Sequence, residues 1–163
     1  EGRLDSATAQ YGQVLPLARE LDDRESIAVA LLNLAMVALM SNEPARARAM
    51  LREVHAIVGE IGSRTTGQTL LDVMVALATI DGDCARAARL LGAANALAED
   101  TGLHRHPADD AFLVPFVARA RDALAADAWR AEEAKGRSLD FSQAMRDVAA
   151  GLGERTASPR PSN

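Results

Sequence analysis

The chain superposes on itself when slid by forty residues, and few architectures are compatible with that constraint. Ala7, Tyr11, Val14, Leu17 and Leu21 fall on Ala47, Leu51, Val54, Ile57 and Ile61, and Ala87, Leu91, Ala94 and Leu97 make a third copy. The same step carries Leu31, Leu34, Ala35, Ala38 and Met40 onto Leu71, Met74, Val75, Ala78 and Ile80. Both sets recur at spacings of three and four, the period of one buried helical face. Residues 1–102 therefore read as helical repeats of period forty.

Composition agrees. Apolar residues make up 48% of the chain, mostly as Ala and Leu, with aromatics at only 3%, a balance that suits close helix packing better than a β-sandwich. Turn and capping residues separate the periodic runs: Asp22-Asp23-Arg24, Ser41-Asn42-Glu43-Pro44, Gly62-Ser63 and Asp81-Gly82-Asp83. Helices are expected near 2–21, 25–41, 44–61, 65–80 and 84–101, alternating in direction. Pro16 and Pro115 fall inside expected helices, so a bend is expected at each.

The repeat stops beyond Gly102. Leu103 to Ala108 reads as a polar link, followed by a helix near 110–126 with Asp109 as its N-cap, and a short helix near 127–135 that stops at Gly136 as a left-handed residue. A last helix starts at Asp140, with Gln143 completing a capping box and Leu139 packing back as a staple. Residues 103–152 form a C-terminal helical cap. Residues 153–163, rich in Pro, Ser and charge, read as a flexible tail or linker.

Charge excludes one class of function. The net charge of -5 divides into nine basic and fourteen acidic side chains over residues 1–102 and nine of each over 103–163, so neither part offers the concentrated basic field that nucleic-acid binding needs. The single Cys84 cannot close an internal disulfide, the longest apolar run, Ile27 to Met40, is too short for a bilayer, and no signal peptide is seen. A cytoplasmic protein is expected, and Glu1, falling in mid-pattern, suggests a segment of something larger.

The spacings resemble the tetratricopeptide repeat. Leu31, Leu34, Ala35, Ala38, Ala47, Leu51 and Val54 occupy its packing places once, and Leu71, Met74, Val75, Ala78, Ala87, Leu91 and Ala94 occupy them again. The period of forty exceeds the usual ~34, and Ala35 and Val75 stand where that family prefers Gly. The resemblance implies an all-α fold in which antiparallel helix pairs stack as a right-handed superhelix. A second likeness lies in Ala85 to Ala94, Thr101-Gly102-Leu103, Pro107, Ala118 to Arg121 and Gly136 to Leu139. These stretches look like the C-terminal region of large bacterial transcriptional regulators of the LuxR and AfsR kind, in which an NTPase or cyclase module precedes helical repeats. No Walker-type phosphate loop and no helix-turn-helix is recognisable in the chain. What the likeness implies is the regulatory scaffold alone.

The segment Ile27 to Met40 is apolar almost all round, whereas a helix packed on one side needs only a stripe. In the tetratricopeptide arrangement Val29, Leu32, Asn33, Met36 and Met40, with Thr69, Asp72, Ala76 and Thr79 of the next repeat, would line a concave partner-binding groove. Flexible Met side chains suit adaptable recognition, and Asn33 stands where the family often bonds a peptide backbone. The other reading is that upstream repeats, or another part of this fold, bury the same surface.

Candidate chemistry is sparse. His104 and His106 beside Asp100, Asp109 and Asp110 lack the distant ligand that completes a tetrahedral metal site and read as solvated loop residues. Cys84 reads as a partly buried first-turn residue and Trp129 as a packing residue of the cap. Arg46, Arg48 and Arg52 make a stripe offset by Glu43 and Glu53, and Asp22-Asp23 and Glu132-Glu133 read as caps and solvated faces. The sequence thus points to a non-enzyme with no cofactor and no metal: a regulatory scaffold for protein–protein interaction and signal transduction, which binds a protein, a peptide or a neighbouring domain. The alternative is an effector-sensing domain that takes a small molecule in the same groove. An exposed apolar face would also be free to pair two copies as a homodimer.

Overall fold

The polypeptide reverses direction on a fixed beat. A computed structural model describes the backbone of residues 2–153 and the side chains of residues 9–153. Left-handed φ values fall at Asp22 (51°), Asn42 (58°), Gly62 (67°), Gly82 (83°) and Gly102 (69°), each twenty residues after the last. Such a residue lets the chain leave a helix while the last carbonyls are still satisfied, and Gly, Asn and Asp tolerate it best. The closure repeats in detail: the amides of Asp23, Glu43 and Asp83 donate to the carbonyls of Ala18, Ala38 and Ala78 at 2.9, 2.7 and 2.9 Å. Three of the five turns therefore close in the same way, while at Gly62 the bond runs instead from its own amide to Val58 O.

Between these turns lie α1 (Gly2–Glu20), α2 (Arg24–Met40), α3 (Pro44–Ile61), α4 (Arg64–Asp81) and α5 (Cys84–Thr101). They are followed by α6 (Pro107–Ala123), α7 (Ala126–Arg137) and α8 (Phe141–Gly153). The described residues contain no strand. Side chains of Asp23, Ser63 and Asp83 cap α2, α4 and α5 by accepting from the amides of Ser26, Thr66 and Arg86. At α8 the expected capping box is present: Gln143 N donates to Asp140 Oδ1 at 2.7 Å and Asp140 N to Gln143 Oε1 at 2.8 Å. Helices α1 and α6 continue through Pro16 and Pro115. Of the tail expected over residues 153–163, Gly153 instead closes α8 and the rest lies outside the described residues, as does the side chain of Ala7.

Successive helices from α1 to α5 pack on one another across turns of two or three residues, while α2, α4 and α6 also pack side by side as a row. Helix α4 is central. It meets α2, α3, α5, α6 and α8, and every residue from Leu70 to Thr79 is buried. At roughly 1.5–3 kcal/mol for each fully buried large aliphatic side chain, Leu70, Leu71, Val73, Met74, Val75 and Leu77 make it the main source of cohesion. Helix α7 lies along α5, and α8 rests on α3, α4 and α5.

Several sequence expectations are corrected here. The polar link is shorter, because His106 rather than Asp109 caps α6, its Nδ1 accepting from Ala108 N at 3.3 Å while Pro107 takes the first turn. Gly136 does not terminate α7. It is buried within the helix, where it and Gly92 let α5 and α7 touch backbone to backbone: a Cβ at Gly136 would stand 1.8 Å from Arg89 O, and one at Gly92 2.1 Å from Glu133 O. Arg48 and Arg52 are not a solvated stripe either. Each donates to a last carbonyl of α8, Gly151 O and Leu152 O, at 2.7 Å, and Arg48 also pairs with Asp81. Glu132, expected on a solvated face, instead joins Arg89, which reaches on to Asp147 of α8. The acidic partners hold the Arg89 guanidinium further above its already high value, Asp147 contributing most.

Candidate protein-interaction surface

Helix α2 is apolar on nearly every side because three neighbours cover it: α1, α3 and α4. This corrects much of the expected groove. Leu32 and Met36 are only 2% and 8% exposed and belong to the core, and Ala76 and Thr79 of α4 are equally buried. Asp72, 2% exposed, lines no groove; its two carboxylate oxygens accept from Arg105 Nε and Nη2 at 2.7 and 2.9 Å. Arg105 Nη2 also donates to Asn95 Oδ1 at 2.9 Å, so the link between α5 and α6 is tied down onto α4 and α5. Burial pushes the Asp72 carboxyl above its ordinary value although Arg105 pulls the other way. For Arg105 burial is the largest influence and opposes the charge, but the bonds to Asp72 together with the negative charges of Asp72, Asp110 and Asp109 make the net direction up.

Arg105, set between His104 and His106 in a polar link, is not marked by the sequence as a partner of Asp72. A signal was present all the same: Asp72 interrupts the apolar run of α4, and a carboxylate in that setting requires a cationic partner. Among the described residues no group of three or more His, Cys, Asp or Glu side chains is placed to hold a metal ion. Cys84 is half-buried at the first position of α5. Trp129 is buried, donates from Nε1 to Glu133 at 3.0 Å, and has the Arg121 guanidinium 5.1 Å from its ring centre.

The remaining groove residues stay accessible. Val29 and Met40 are 44% and 55% exposed, and Asn33 and Thr69 are half-buried. The Asn33 amide donates to Val29 O of its own helix at 2.9 Å. Val14, Leu17 and Leu21, which the repeat register places with packed residues, are exposed as well, at 44%, 57% and 72%, on and just after α1. Helix α1 packs chiefly on α2, and among the described residues no other helix packs on it extensively. Of the seven exposed large apolar residues among the described side chains, five lie on this α1–α2 end, which makes it the one place where apolar surface is concentrated. Ion pairs rim it toward α3, Arg19 with Glu53 at 3.0 Å and Arg24 with Glu60 at 2.5 Å.

No protein-family model, no curated protein and no solved structure matches this chain. Among the described residues no helix is long and apolar enough to cross a membrane.

Proposed function

We propose that the chain is a non-catalytic interaction scaffold in which helix pairs of the tetratricopeptide kind stack as a right-handed superhelix. On this reading it serves as the regulatory part of a larger bacterial transcriptional regulator of the LuxR and AfsR kind, in the cytoplasm, and couples contact with a partner protein, peptide or neighbouring domain to that regulator's output. The twenty-residue beat of the turns supports the repeat. The observation that carries the function is the gathering of exposed Val14, Leu17, Leu21, Val29 and Met40 on one end of the stack. An apolar surface of that kind, edged by charged side chains, is what a docked helix would need.

Val29 and Met40 are the residues to change, because Met36 is packed and its replacement would test folding instead of recognition. A Val29→Glu/Met40→Glu double variant should keep its helicity and lose no more than about 0.5 kcal/mol of stability, as exposed sites generally allow. Immobilised variant should also fail to retain the proteins that the immobilised wild-type chain retains. Equal retention by both would remove the α1–α2 end from the function.

A further inference from the structure

The internal repeat says what belongs on the α1–α2 end. Helix α2 lies against both α3 and α4, and forty residues later α4 lies against both α5 and α6. Each of these neighbouring pairs, α3 with α4 and α5 with α6, therefore holds the helix that comes immediately before it in the chain. The pair α1 with α2 is their equivalent one step earlier, and among the described residues no helix occupies its seat.

Burial differs accordingly at four positions of this end. Val14 and Leu17 of α1 are exposed, whereas Val54 and Ile57, forty residues on in α3, are fully buried. Asn33 and Val37 of α2 are half-buried, whereas Val73 and Leu77, their counterparts in α4, are fully buried. Three of the four positions stay aliphatic between copies, and only Asn33, which corresponds to Val73, changes type. What changes at all four is whether a helix lies on them.

We infer that the α1–α2 end seats one further helix of the α2 kind, the first member of the pair whose second member is α1. The inference rests on the reading of this end as an interaction surface and names its occupant. The inward face of that helix should repeat the pattern shared by Leu31, Leu34, Ala35 and Ala38 and by Leu71, Met74, Val75 and Ala78: two large residues, a smaller one, and Ala before the turn. A second copy of the described residues does not supply it, because α2 and α4, the helices with that pattern, are already seated against their own neighbours. Two copies could only press one open end against another.

The test is to supply such a helix. Placing a copy of Arg24 to Glu43 directly ahead of Leu4, in place of the first three residues, sets a new helix in the forty-residue register of the rest. Hydrogen exchange in the segments covering α1 and α2 should slow about tenfold relative to the 163-residue chain, while α5 to α8 change little. Replacing both Leu residues equivalent to Leu31 and Leu34 by Glu in the added copy should cancel the protection, and so should Leu17→Glu in the fused chain. Unchanged exchange at α1 and α2, or equal protection by the Glu-bearing copy, would overturn the inference. So would a wild-type chain found by sedimentation equilibrium to dimerise through this end and to remain dimeric after fusion. If the fused helix gives no protection while Val29→Glu/Met40→Glu still loses a retained partner, the named occupant falls and the scaffold reading stands. If it does protect but the double variant retains partners unchanged, the reverse holds.

Discussion

Two glycines set how near α5 and α7 come to each other. The Cβ positions at Gly92 and Gly136 are taken by the backbone carbonyls of Glu133 and Arg89, which cannot swing aside as a side chain could. Gly136→Ala should therefore cost about 1–3 kcal/mol in urea unfolding, the usual range for overpacking. Gly59→Ala, in α3 with open space around the new methyl, should instead add roughly 0.5–1 kcal/mol by restricting the unfolded chain. Equal effects at the two positions would mean that the α5–α7 crossing is not set by glycine. Reading the sequence alone takes Gly136 for a terminator, since Gly62, Gly82 and Gly102 do take that left-handed role after their helices. Its actual task depends on Arg89 and Ala93, more than forty positions earlier in the chain, and nothing local in the sequence records that contact.

At the scale of elements, the seating of α8 explains why the basic stripe on α3 is not a solvated one. A helix ends with carbonyls that have no partner of their own, and α3 supplies donors for two of them through Arg48 and Arg52, while the His55 ring lies 3.0 Å from Met145 O. Arg48→Ala should cost about 1–3 kcal/mol, since it leaves Gly151 O and the partly buried Asp81 without that partner, and should speed exchange in α8 more than in α2. Arg46→Ala, at an exposed position two residues earlier, should change stability by no more than about 0.5 kcal/mol. Existence, order and approximate bounds of the helices were legible from the three-and-four spacing, and the capping box from Asp140 and Gln143 alone. Which partner each side chain meets was not, because Arg48 and Gly151 are 103 residues apart. The candidate surface divides the same way: an all-round apolar α2 could be read off, yet only packing by α1, α3 and α4 separates buried Leu32 and Met36 from exposed Val29 and Met40.

For the whole molecule, acid acts through carboxyls that folding shifts in opposite directions. The Ser26 hydroxyl and amide hold Asp23 below its ordinary 3.8, and Lys135 together with Arg89 holds Glu132 below 4.5. Groups with depressed folded values give stability that is complete above the ordinary value and is lost as the pH falls through the depressed one. Asp72 and Asp109, raised mainly by burial, act the other way, because taking up a proton relieves the folded state. Asn caps a helix about as well as Asp but does not titrate, so the melting temperature of Asp23→Asn should fall less than that of wild type as the pH drops from about 4 to about 2. Parallel pH profiles would show that the cap of α2 has no share in the acid response.

The even spacing of Asp22, Asn42, Gly62, Gly82 and Gly102 also limits how such a protein can change in length. Removing one residue from a helix turns everything after it by about 100° around that helix's axis, which would present the wrong flank to the next neighbour. Growth or loss is therefore tolerated in complete strokes of the hairpin, or in surface segments such as the link before Pro107, where no later helix inherits the rotation.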